Sequence, residues 1–559
     1  MFTRGRRFGS HSSKNKAFEF NTCSVNKNDA SDQKYSCQFV KVYGKKVVRL
    51  NSNGVATEKV KAMTLGSLSI QLADNVHLKN LNSKWYLTSD APLRYIRVPH
   101  SVSRFIDRLS AHGCRMSDVY ANMGKSASKQ LTQTLFALIQ KGYLRLHQND
   151  IMSGEEDLPT VSVIIPVKNR PDDIVECLTA LSSVDYPENK LEIIVVDDGS
   201  NDNTSARVRD FNVRLIPQSV SRGPAASRNT GAKKATGDIL AFLDSDCVAD
   251  RAWLKQLVPL FFVEGIGAVG GLVNSYFKTT RLDRYEAAFS SLSMGNRILF
   301  GSTSESNFYV PTCNMLIRRD VFETAGGFSD GMHVGEDVDL CWRMRKKGHF
   351  LLYVPFGPVS HKHRNQLGKM LKRKAEYGTS EAELYKYHPD KKKQFIAPAR
   401  SSLSFIAFIA AIFFNIPVLA ALCMILYGLD VLHKKARLKK LDSDIERDIT
   451  FRKLCLSTLK SHFSLFYYAG FFMIRYFLIV FILAGMVNYS AWIVGFILLG
   501  ICSGVDFRIR KPKLTYPVFL VIYVLEHCAY QIGVFIGCVR HKYMKCYLPL
   551  IRINRQLSW

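Results

Sequence analysis

The sequence predicts an α/β fold: a domain with a mainly parallel sheet, a small winged-helix-like α+β domain before it, and membrane helices after it. Between residues 158 and 395, apolar strand-like runs alternate with helical segments, as in a parallel sheet covered by helices. Residues 65–150 combine alternating apolar positions with three short helical segments. Residues 400–559 contain apolar blocks that are too long for an ordinary soluble core.

The strands of the central domain are read from three apolar runs, VSVIIPV, LEIIVVD and ILAFLD. Each run is followed by polar residues and then by a segment with helical periodicity. In sheets of this kind, ligands bind outside the carboxyl ends of the strands. The polar residues that follow these runs are therefore the candidates for a functional site.

The domain at 65–150 is expected to contain two strands joined through Asn80–Asp90 and three short helices. The strands are indicated by alternating apolar residues, which are Val76, Leu78, Ile96 and Val98. The first two helices are indicated by Phe105 with Leu109 and by Val119. The third carries apolar residues at the spacing of one buried face, namely Leu131, Leu135 and Leu138.

The formal net charge is +29, and the first 64 residues are a polar, basic arm that we expect to be disordered. The other basic runs border apolar blocks, which favours a membrane interaction over a nucleic-acid partner. A winged-helix nucleic-acid binder is the competing interpretation, but it would leave residues 161–365 unexplained. Thirteen cysteines without a CxxC pair, and an N-terminus without an apolar leader, indicate a reducing, cytoplasmic location for most of the chain.

The apolar blocks are 403–432, 465–505 and 516–539. Basic residues follow all three, so the positive-inside rule places every connecting loop in the cytoplasm. The second block then forms a transmembrane hairpin that turns at Asn488–Ser490. The first is broken at Asn415–Pro417, and the third carries Glu526 with His527 at its centre. We therefore expect these two blocks to be shallow elements that enter and return.

Two polar segments follow the predicted strands and are suited to a nucleotide. Asp197, Asp198 and Ser200 end the second strand, where carboxylates can accept hydrogen bonds from a base or a ribose. The segment Arg222–Asn229 offers small residues, a helix N-terminus and Arg228, which together favour phosphate oxygens. Each segment alone is equally consistent with a polar turn or an ordinary helix start.

Asp244 and Asp246 follow the third strand as an Asp-Ser-Asp tripeptide. One carboxylate can hold a ribose or a metal-bound water, and the other can bind Mg²⁺ or Mn²⁺ between two phosphates. Glu336 and Asp337 form a second acidic pair, in which one carboxylate can act as the general base toward an acceptor. His361 and His363 could complete a metal or diphosphate site.

In order along the chain, VSVIIPVKNR, VVDDGS, GPAASRNTG, FLDSD, TCNMLIRR, GGF and GEDVDLCWR resemble the GT-A domain of family 2 glycosyltransferases across residues 161–365. The resemblance implies a nucleotide-sugar donor, expected to be a UDP-sugar, with a divalent metal bound by Asp246 and His361. It implies base catalysis at Asp337, beside Glu336. The implied donor contacts are Pro166, Asp197, Asp198, Ser200, Arg228, Asp244 and Asp246.

The QxxRW motif of processive polysaccharide synthases is missing, since LGKM follows Gln366. A narrower resemblance links the domain at 65–150 to PqqD-like peptide-recognition domains, and the chain from residue 66 to mycofactocin-system glycosyltransferases. It implies inverting transfer of a sugar, expected to be glucose, to a peptide-derived redox cofactor at the cytoplasmic face of the cell membrane. A lipid carrier or a cell-surface polysaccharide is the alternative acceptor.

Overall fold

The computed structural model describes residues 68–81, 83–90, 93–98, 100, 103, 106–107, 114–120, 124–148, 158–302, 307–391, 393–441 and 449–554. The expected arm at 1–64, and the residues Phe105 and Leu109 of the first expected helix, lie outside these ranges. The described part folds into an N-terminal module, a large α/β domain and a C-terminal group of apolar helices.

The strands are β1 (Leu68–Leu72), β2 (Val76–Leu81), β3 (Lys84–Asp90), β4 (Leu93–Val98), β5 (Cys114–Arg115), β6 (Leu144–Gln148), β7 (Val161–Val167), β8 (Leu191–Asp197), β9 (Arg214–Pro217), β10 (Ile239–Phe242), β11 (Cys247–Ala249), β12 (Ile266–Gly270), β13 (Val273–Ser275), β14 (Leu299–Gly301), β15 (Met315–Arg318), β16 (Phe350–Tyr353), β17 (Val359–His361), β18 (Gln394–Pro398) and β19 (Leu550–Asn554). The helices are α1 (Met116–Tyr120), α2 (Lys125–Gln140), α3 (Pro171–Leu181), α4 (Thr204–Val208), α5 (Pro224–Lys234), α6 (Trp253–Leu257), α7 (Arg281–Phe289), α8 (Arg319–Ala325), α9 (Glu336–Lys346), α10 (Leu367–Tyr387), α11 (Ala399–Phe413), α12 (Val418–Leu441), α13 (Phe451–Gly485), α14 (Tyr489–Arg510) and α15 (Tyr516–His541).

The N-terminal module contains two small antiparallel sheets, β2-β3-β4 and β5-β1-β6, with α1 and α2 beside them. The expectation that Asn80–Asp90 only joins two strands was wrong, because Lys84–Asp90 is itself the central strand of the first sheet. Leu81 pairs with Lys84, and Ser83 directly before this strand has φ 61°. The strand contains the aromatic residues Trp85 and Tyr86 and the β-branched Thr88, which favour extended structure.

The large domain is built on one eight-stranded sheet with the order β14-β16-β12-β15-β10-β7-β8-β9. The four strands from β10 to β9 are parallel, as are β12 and β16, whereas β15 and β14 run antiparallel to their neighbours. The predicted α/β fold with a mainly parallel sheet is thereby confirmed. The carboxyl ends of β7, β8 and β10 meet at one edge of this sheet, which gives the domain a ligand-binding edge.

A second, three-stranded sheet with the order β11-β17-β13 lies beside that edge. In its register Cys247 pairs with His361, and the amide of Lys362 donates to the carbonyl oxygen of Asp246 at 2.9 Å. This pairing brings together two segments that are more than a hundred residues apart in the chain. It is the reason that the Asp-Ser-Asp tripeptide and the SHKHR segment share one site.

The hydrophobic core of the large domain continues into the N-terminal module without a boundary. Leu68, Ile70 and Phe136 of the module belong to the same buried cluster as Val161 of the central sheet. The ring of Phe136 also stacks on Phe300 of the edge strand β14, with ring centroids 5.1 Å apart. The module therefore covers the outermost strand β14 of the large sheet.

The C-terminal apolar helices partly follow the predicted topology. Helices α11 and α12 are separated at residues 414–417, and α13 and α14 form a hairpin whose turn includes Asn488, both as predicted. The entering and returning element expected at 516–539 was wrong, because Tyr516–His541 is one continuous helix. Among the described residues, α13, α14 and α15 are long and apolar enough to cross a membrane.

Candidate functional site

A cleft of about 590 Å³ opens at the carboxyl ends of β7, β8 and β10. Loops after these strands form one wall, and the start of α9 with one face of α10 forms the other. Most of the residues singled out from the sequence line this cleft, namely Pro166, Asp198, Arg228, Asp244, Asp246, Glu336, Asp337 and His361. Asp197 and Ser200 are not among the lining residues.

Asp197 and Ser200 build the turn behind the cleft. The Asp197 side chain is buried and accepts hydrogen bonds from the Ser200 amide at 2.9 Å and from the Ser205 hydroxyl. The Ser200 hydroxyl in turn accepts from the Asn169 amide at 2.9 Å. Direct nucleotide contacts by these two side chains were predicted, but the geometry gives both a role in shaping the loop that carries Asp198.

Asp198 holds the loop that precedes α5. Its carboxylate accepts hydrogen bonds from the amides of Arg222 and Gly223, at 2.7 and 3.0 Å, and from the Ser221 hydroxyl at 2.7 Å. Burial alone would raise the pKa of Asp198, but these donors lower it below the usual carboxyl value. Asp198 is therefore an anion at neutral pH. It lies at the cleft surface and fixes the backbone of the loop that enters helix α5.

Arg228 joins the two acidic motifs of the cleft. Its guanidinium is buried and lies 2.6 Å from Asp244 Oδ1 and 2.8 Å from Glu336 Oε1. These carboxylates hold its protonated form, so the pKa of Arg228 is raised although burial opposes this. Arg228 and Glu336 thus pair with each other, and this pairing limits how far either can contact a donor or an acceptor.

Asp246 lies at the centre of a cationic pocket. Its Oδ2 lies 2.6 Å from Arg170 Nη1 and 3.2 Å from Arg364 Nη1, and its Oδ1 lies 3.5 Å from His361 Nε2. Burial would raise the pKa of Asp246, but the charges of His361, Arg170 and Arg364 lower it to about 2. The carboxylate is therefore ionised at any physiological pH.

Asp246, Cys247 and His361 are a group whose potential ligand atoms all lie within 4.8 Å of one another. Burial raises the pKa of the Cys247 thiol well above its ordinary value, so it is a neutral group beside the other two. His363 is unsuited to ligate, because Ser275 contacts its Nδ1 at 2.8 Å and Asp283 its Nε2 at 3.2 Å.

Asp337 begins helix α9 at the far wall of the cleft. Its Oδ1 accepts a hydrogen bond from the Val338 amide at 2.8 Å. Burial, together with the negative charge of Glu336, raises the pKa of Asp337 to about 7. A carboxylate with a pKa near neutrality is matched to proton abstraction at physiological pH.

Several residues of the site carry no role in the sequence interpretation. Arg170 pairs with Asp246, and Arg373, Lys374 and Tyr377 of α10 line the same wall of the cleft as the start of α9. Arg170 stands in the VKNR segment directly after β7, and its position at a strand end is a signal that could have identified it. The α10 residues follow an ordinary helical pattern, and only the tertiary packing brings them to the cleft.

Residues 162–326 match the family described as Glycosyl transferase family 2. Glycosyltransferase AglE of Haloferax volcanii is 34% identical over 235 residues, which are 41% of this chain and 75% of that protein. The chain belongs to glycosyl transferase family 2. The family 2 resemblance of the sequence is thereby confirmed, and with it a glycosyltransferase with an α/β catalytic domain.

A pre-mycofactocin glycosyltransferase of Mycobacterium tuberculosis is 39% identical to this glycosyltransferase over 237 residues. That match covers 41% of this chain and 48% of the relative, so the chain spans about half of that relative's length. Among solved structures, a mannosyltransferase of Pyrobaculum calidifontis in complex with GDP-Man and Mn²⁺ matches with 19% identity and a TM-score of 0.34, over 60% of this chain and 95% of that one.

Proposed function

We propose that this family 2 member is an inverting, metal-dependent glycosyltransferase that transfers a sugar, glucose in our proposal, from a nucleotide-diphospho-sugar to a peptide-derived redox cofactor of the mycofactocin type. The observation that carries the proposal is that Asp198, Asp246 with His361, and Asp337 line one cleft. Transfer from a nucleoside diphosphate needs a nucleotide contact, neutralisation of the leaving diphosphate, and a base for the acceptor. The cleft offers a candidate for each requirement.

The donor half of the cleft is formed by the loops after β7, β8 and β10. Asp198 is an ionised carboxylate at its surface and can accept from a base or a ribose hydroxyl. The guanidinium groups of Arg170 and Arg364 line this half of the cleft and suit phosphate oxygens. We propose a UDP-sugar as the donor, on the resemblance of the motifs.

The metal site fits a divalent ion with oxygen and nitrogen ligands. The Oδ1 of Asp246 and the Nε2 of His361 are 3.5 Å apart and reach the same cleft, which gives one carboxylate and one imidazole ligand. Mn²⁺ accepts such a mixed set readily, whereas Mg²⁺ prefers oxygen ligands alone, so Mn²⁺ is favoured. A bound ion would neutralise the diphosphate, while Asp246 and His361 hold their positions through β11 and β17.

Asp337 is the proposed base. Its pKa of about 7 makes it a competent proton acceptor at neutral pH, and its place on the wall opposite the donor loops is compatible with direct displacement at the anomeric carbon. Glu336 does not share this role in our proposal, because its carboxylate pairs with Arg228 at 2.8 Å. It positions the start of α9 instead.

The acceptor and the location are proposed from similarity and from the apolar helices. The 39% identity to a pre-mycofactocin glycosyltransferase supports a peptide-derived acceptor. On the resemblance of its sequence, the N-terminal module is proposed to be a PqqD-like peptide-recognition domain. A lipid-linked acceptor is the second candidate, favoured by the α10 wall of the cleft, which packs on the apolar helix α15. The catalytic domain would face the cytoplasm, where nucleotide-sugars are found.

The decisive experiment is a donor screen with purified full-length enzyme and pre-mycofactocin as the acceptor. UDP- and GDP-sugars are compared with Mn²⁺, with Mg²⁺ and with a chelator. Transfer from UDP-glucose that requires Mn²⁺ is the expected result. Transfer that persists undiminished in the chelator would contradict the metal site, and transfer only to a polyprenyl phosphate would establish the second candidate.

A further inference from the structure

Helix α10 presents one continuous face to the cleft. Met370, Arg373, Lys374 and Tyr377 follow the i, i+3, i+4, i+7 spacing of a helix face, and all four line the cleft. The donor-side motifs lie on the other wall, so this face borders the space that remains for an acceptor. Nothing in the family motifs assigns a role to it.

Arg373 and Tyr377 form a stacked pair on this face. The guanidinium carbon of Arg373 lies 4.7 Å from the centre of the Tyr377 ring, and Arg373 Nη1 lies 3.1 Å from Glu376 Oε2. The cation covers one face of the ring and fixes its orientation. Burial raises the pKa of the Tyr377 phenol although Arg373 opposes this, so the hydroxyl keeps its proton at neutral pH as an ordinary phenol does.

Helix α10 is also tied to the helix that carries the proposed base. A side chain at Gly335, the residue before α9, would meet Ser380 and Leu384 of α10. Beyond the end of α10, His388 Nε2 contacts Asp339 Oδ1 at 2.7 Å. These contacts hold the Tyr377 face and Asp337 at a fixed separation along the same wall of the cleft.

We propose that Arg373 and Tyr377 form the acceptor subsite, in which the stacked Tyr377 ring supports a hydroxyl-bearing ring of the acceptor and directs its hydroxyl toward Asp337. The inference rests on the proposed glycosyl transfer and names the residues that select its acceptor. Aromatic rings are well suited to this task, since they combine a flat apolar face with a polar tip. The substrate class is a small molecule with a hydroxylated ring.

The position of the subsite is set by the apolar helix α15. The backbones of α10 and α15 approach so closely that Gly533 and Gly537 leave no room for a side chain against Ala375 and Thr379. Lys374, the residue before Ala375, is buried, and its Nζ lies 3.4 Å from Oε1 of Glu526 on α15. The acceptor wall is thus anchored on a C-terminal apolar helix, and the donor wall on the central sheet.

The test measures two rates in the full-length enzyme: transfer from UDP-glucose to pre-mycofactocin, and hydrolysis of UDP-glucose in its absence. Tyr377→Phe removes one hydrogen bond to the acceptor, so the ratio of transfer to hydrolysis should fall about tenfold, mainly through the KM for pre-mycofactocin. Arg373→Lys keeps the charge but loses the planar stack, so the same ratio should fall. Tyr387→Phe, an exposed tyrosine at the end of the same helix, is the matched control and should leave the ratio unchanged.

An unchanged ratio in both Tyr377→Phe and Arg373→Lys would overturn the subsite. A parallel loss of transfer and hydrolysis would also overturn it, since that result indicates damage to the donor site or to folding. Wild-type enzyme that hydrolyses UDP-glucose without transfer to pre-mycofactocin would contradict the acceptor and this subsite together. Wild-type enzyme that neither transfers nor hydrolyses any nucleotide-sugar would contradict the proposed function itself.

Discussion

Arg228 donates from Nη1 to Glu336 Oε1 at 2.8 Å, and this contact joins the donor wall of the cleft to the helix that carries Asp337. The other nitrogen of the same guanidinium donates to Asp244 Oδ1 at 2.6 Å. One buried cation therefore sets the distance between the Asp-Ser-Asp segment and the start of α9. A substitution that displaces the Asp-Ser-Asp segment should therefore also displace the start of α9, and the reverse.

Removal of Glu336 should destabilise the protein. Glu336→Ala leaves the buried Arg228 with one partner, and breaking a buried ion pair costs about 3–5 kcal/mol. The measurement is chemical denaturation in detergent, with Glu323→Ala as control, because Glu323 is exposed on α8. Equal denaturation midpoints for the two variants would show that the bridge carries no stability.

Asp337→Asn should lower the turnover number by about 10²–10⁴ while donor affinity is largely preserved, since the lost group is a general base. The wild-type turnover number should rise with pH and level off above about 7, because only the ionised form of Asp337 accepts a proton. Turnover at several pH values and donor binding by calorimetry test this together. A collapse of donor affinity in the variant would place Asp337 in the donor site.

The same substitution should stabilise the fold at high pH. The pKa of Asp337 in the folded protein lies near 7, above the ordinary carboxyl value of about 4, so folded chains retain this proton longer than unfolded ones. Its contribution to stability is therefore lost as pH rises from about 4 to 7. Melting curves at pH 8 should show that Asp337→Asn is at least as stable as the wild type. At pH 5 the difference in stability between variant and wild type should be smaller.

Asp246→Asn should abolish transfer and leave the fold intact, because the near-isosteric amide lacks the negative charge with which the carboxylate holds a divalent cation. Electron paramagnetic resonance of free Mn²⁺ measures binding independently of activity. The apparent affinity for Mn²⁺ should fall at least about tenfold in Asp246→Asn and in His361→Ala.

His363→Ala is the control for these variants and should keep the wild-type affinity for Mn²⁺, because Ser275 and Asp283 contact both ring nitrogens of His363. Near-normal turnover of Asp246→Asn at saturating Mn²⁺ would rule out this metal site.

The ionised carboxylate of Asp339 should stabilise the protein, and this stabilisation should be absent at acidic pH. Burial opposes its ionisation, but His388, Arg343 and Ser329 lower the pKa of Asp339 far below the ordinary carboxyl value. Its stabilising effect is thus present above pH about 4 and is lost as the pH falls below that. Asp339→Asn should cost about 1–3 kcal/mol at pH 7, and the difference from the wild type should narrow at pH 3. Asp210→Asn, an exposed aspartate, serves as the control and should show no such difference.

Labelling with a membrane-impermeant maleimide tests the topology. Tyr489→Cys, at the exposed start of α14 next to the turn, should be labelled from outside the cell, whereas Ala436→Cys should not. Lys542→Cys, just beyond α15, should also be protected, because α15 packs along α10, which carries charged residues on its outer face. Labelling of Ala436→Cys or Lys542→Cys would require a further crossing.

Local patterns predicted the central sheet and the strand ends that carry Asp198 and Asp244, because apolar runs and the polar residues after them are short-range signals. The pairing of Arg170 with Asp246 and of Arg228 with Glu336 spans 76 and 108 residues, and no local pattern encodes a contact at that separation. These pairs depend on the order of strands in the sheet, which is a tertiary property.

Two elements were misread for physical reasons. The alternation of Val76 and Leu78 with Ile96 and Val98 predicts a connection at Asn80–Asp90, although the side chains of Trp85, Tyr86 and Thr88 within it favour a strand. Glu526 and His527 suggested a break in the last apolar block. They are buried against Lys374, Tyr285 and Arg475, and those partners allow a continuous helix.

The shared core of the N-terminal module and the catalytic domain makes the two a single folding unit. Leu68, Ile70 and Phe136 are buried in one cluster with Val161 of the central sheet, and the ring of Phe300 on the edge strand stacks on Phe136. Unfolding should therefore be one cooperative transition for the two together, without an intermediate in which either survives alone. Peptide binding by the module, as proposed above, would then act on the cleft through this common core, with no hinge between the module and the catalytic domain.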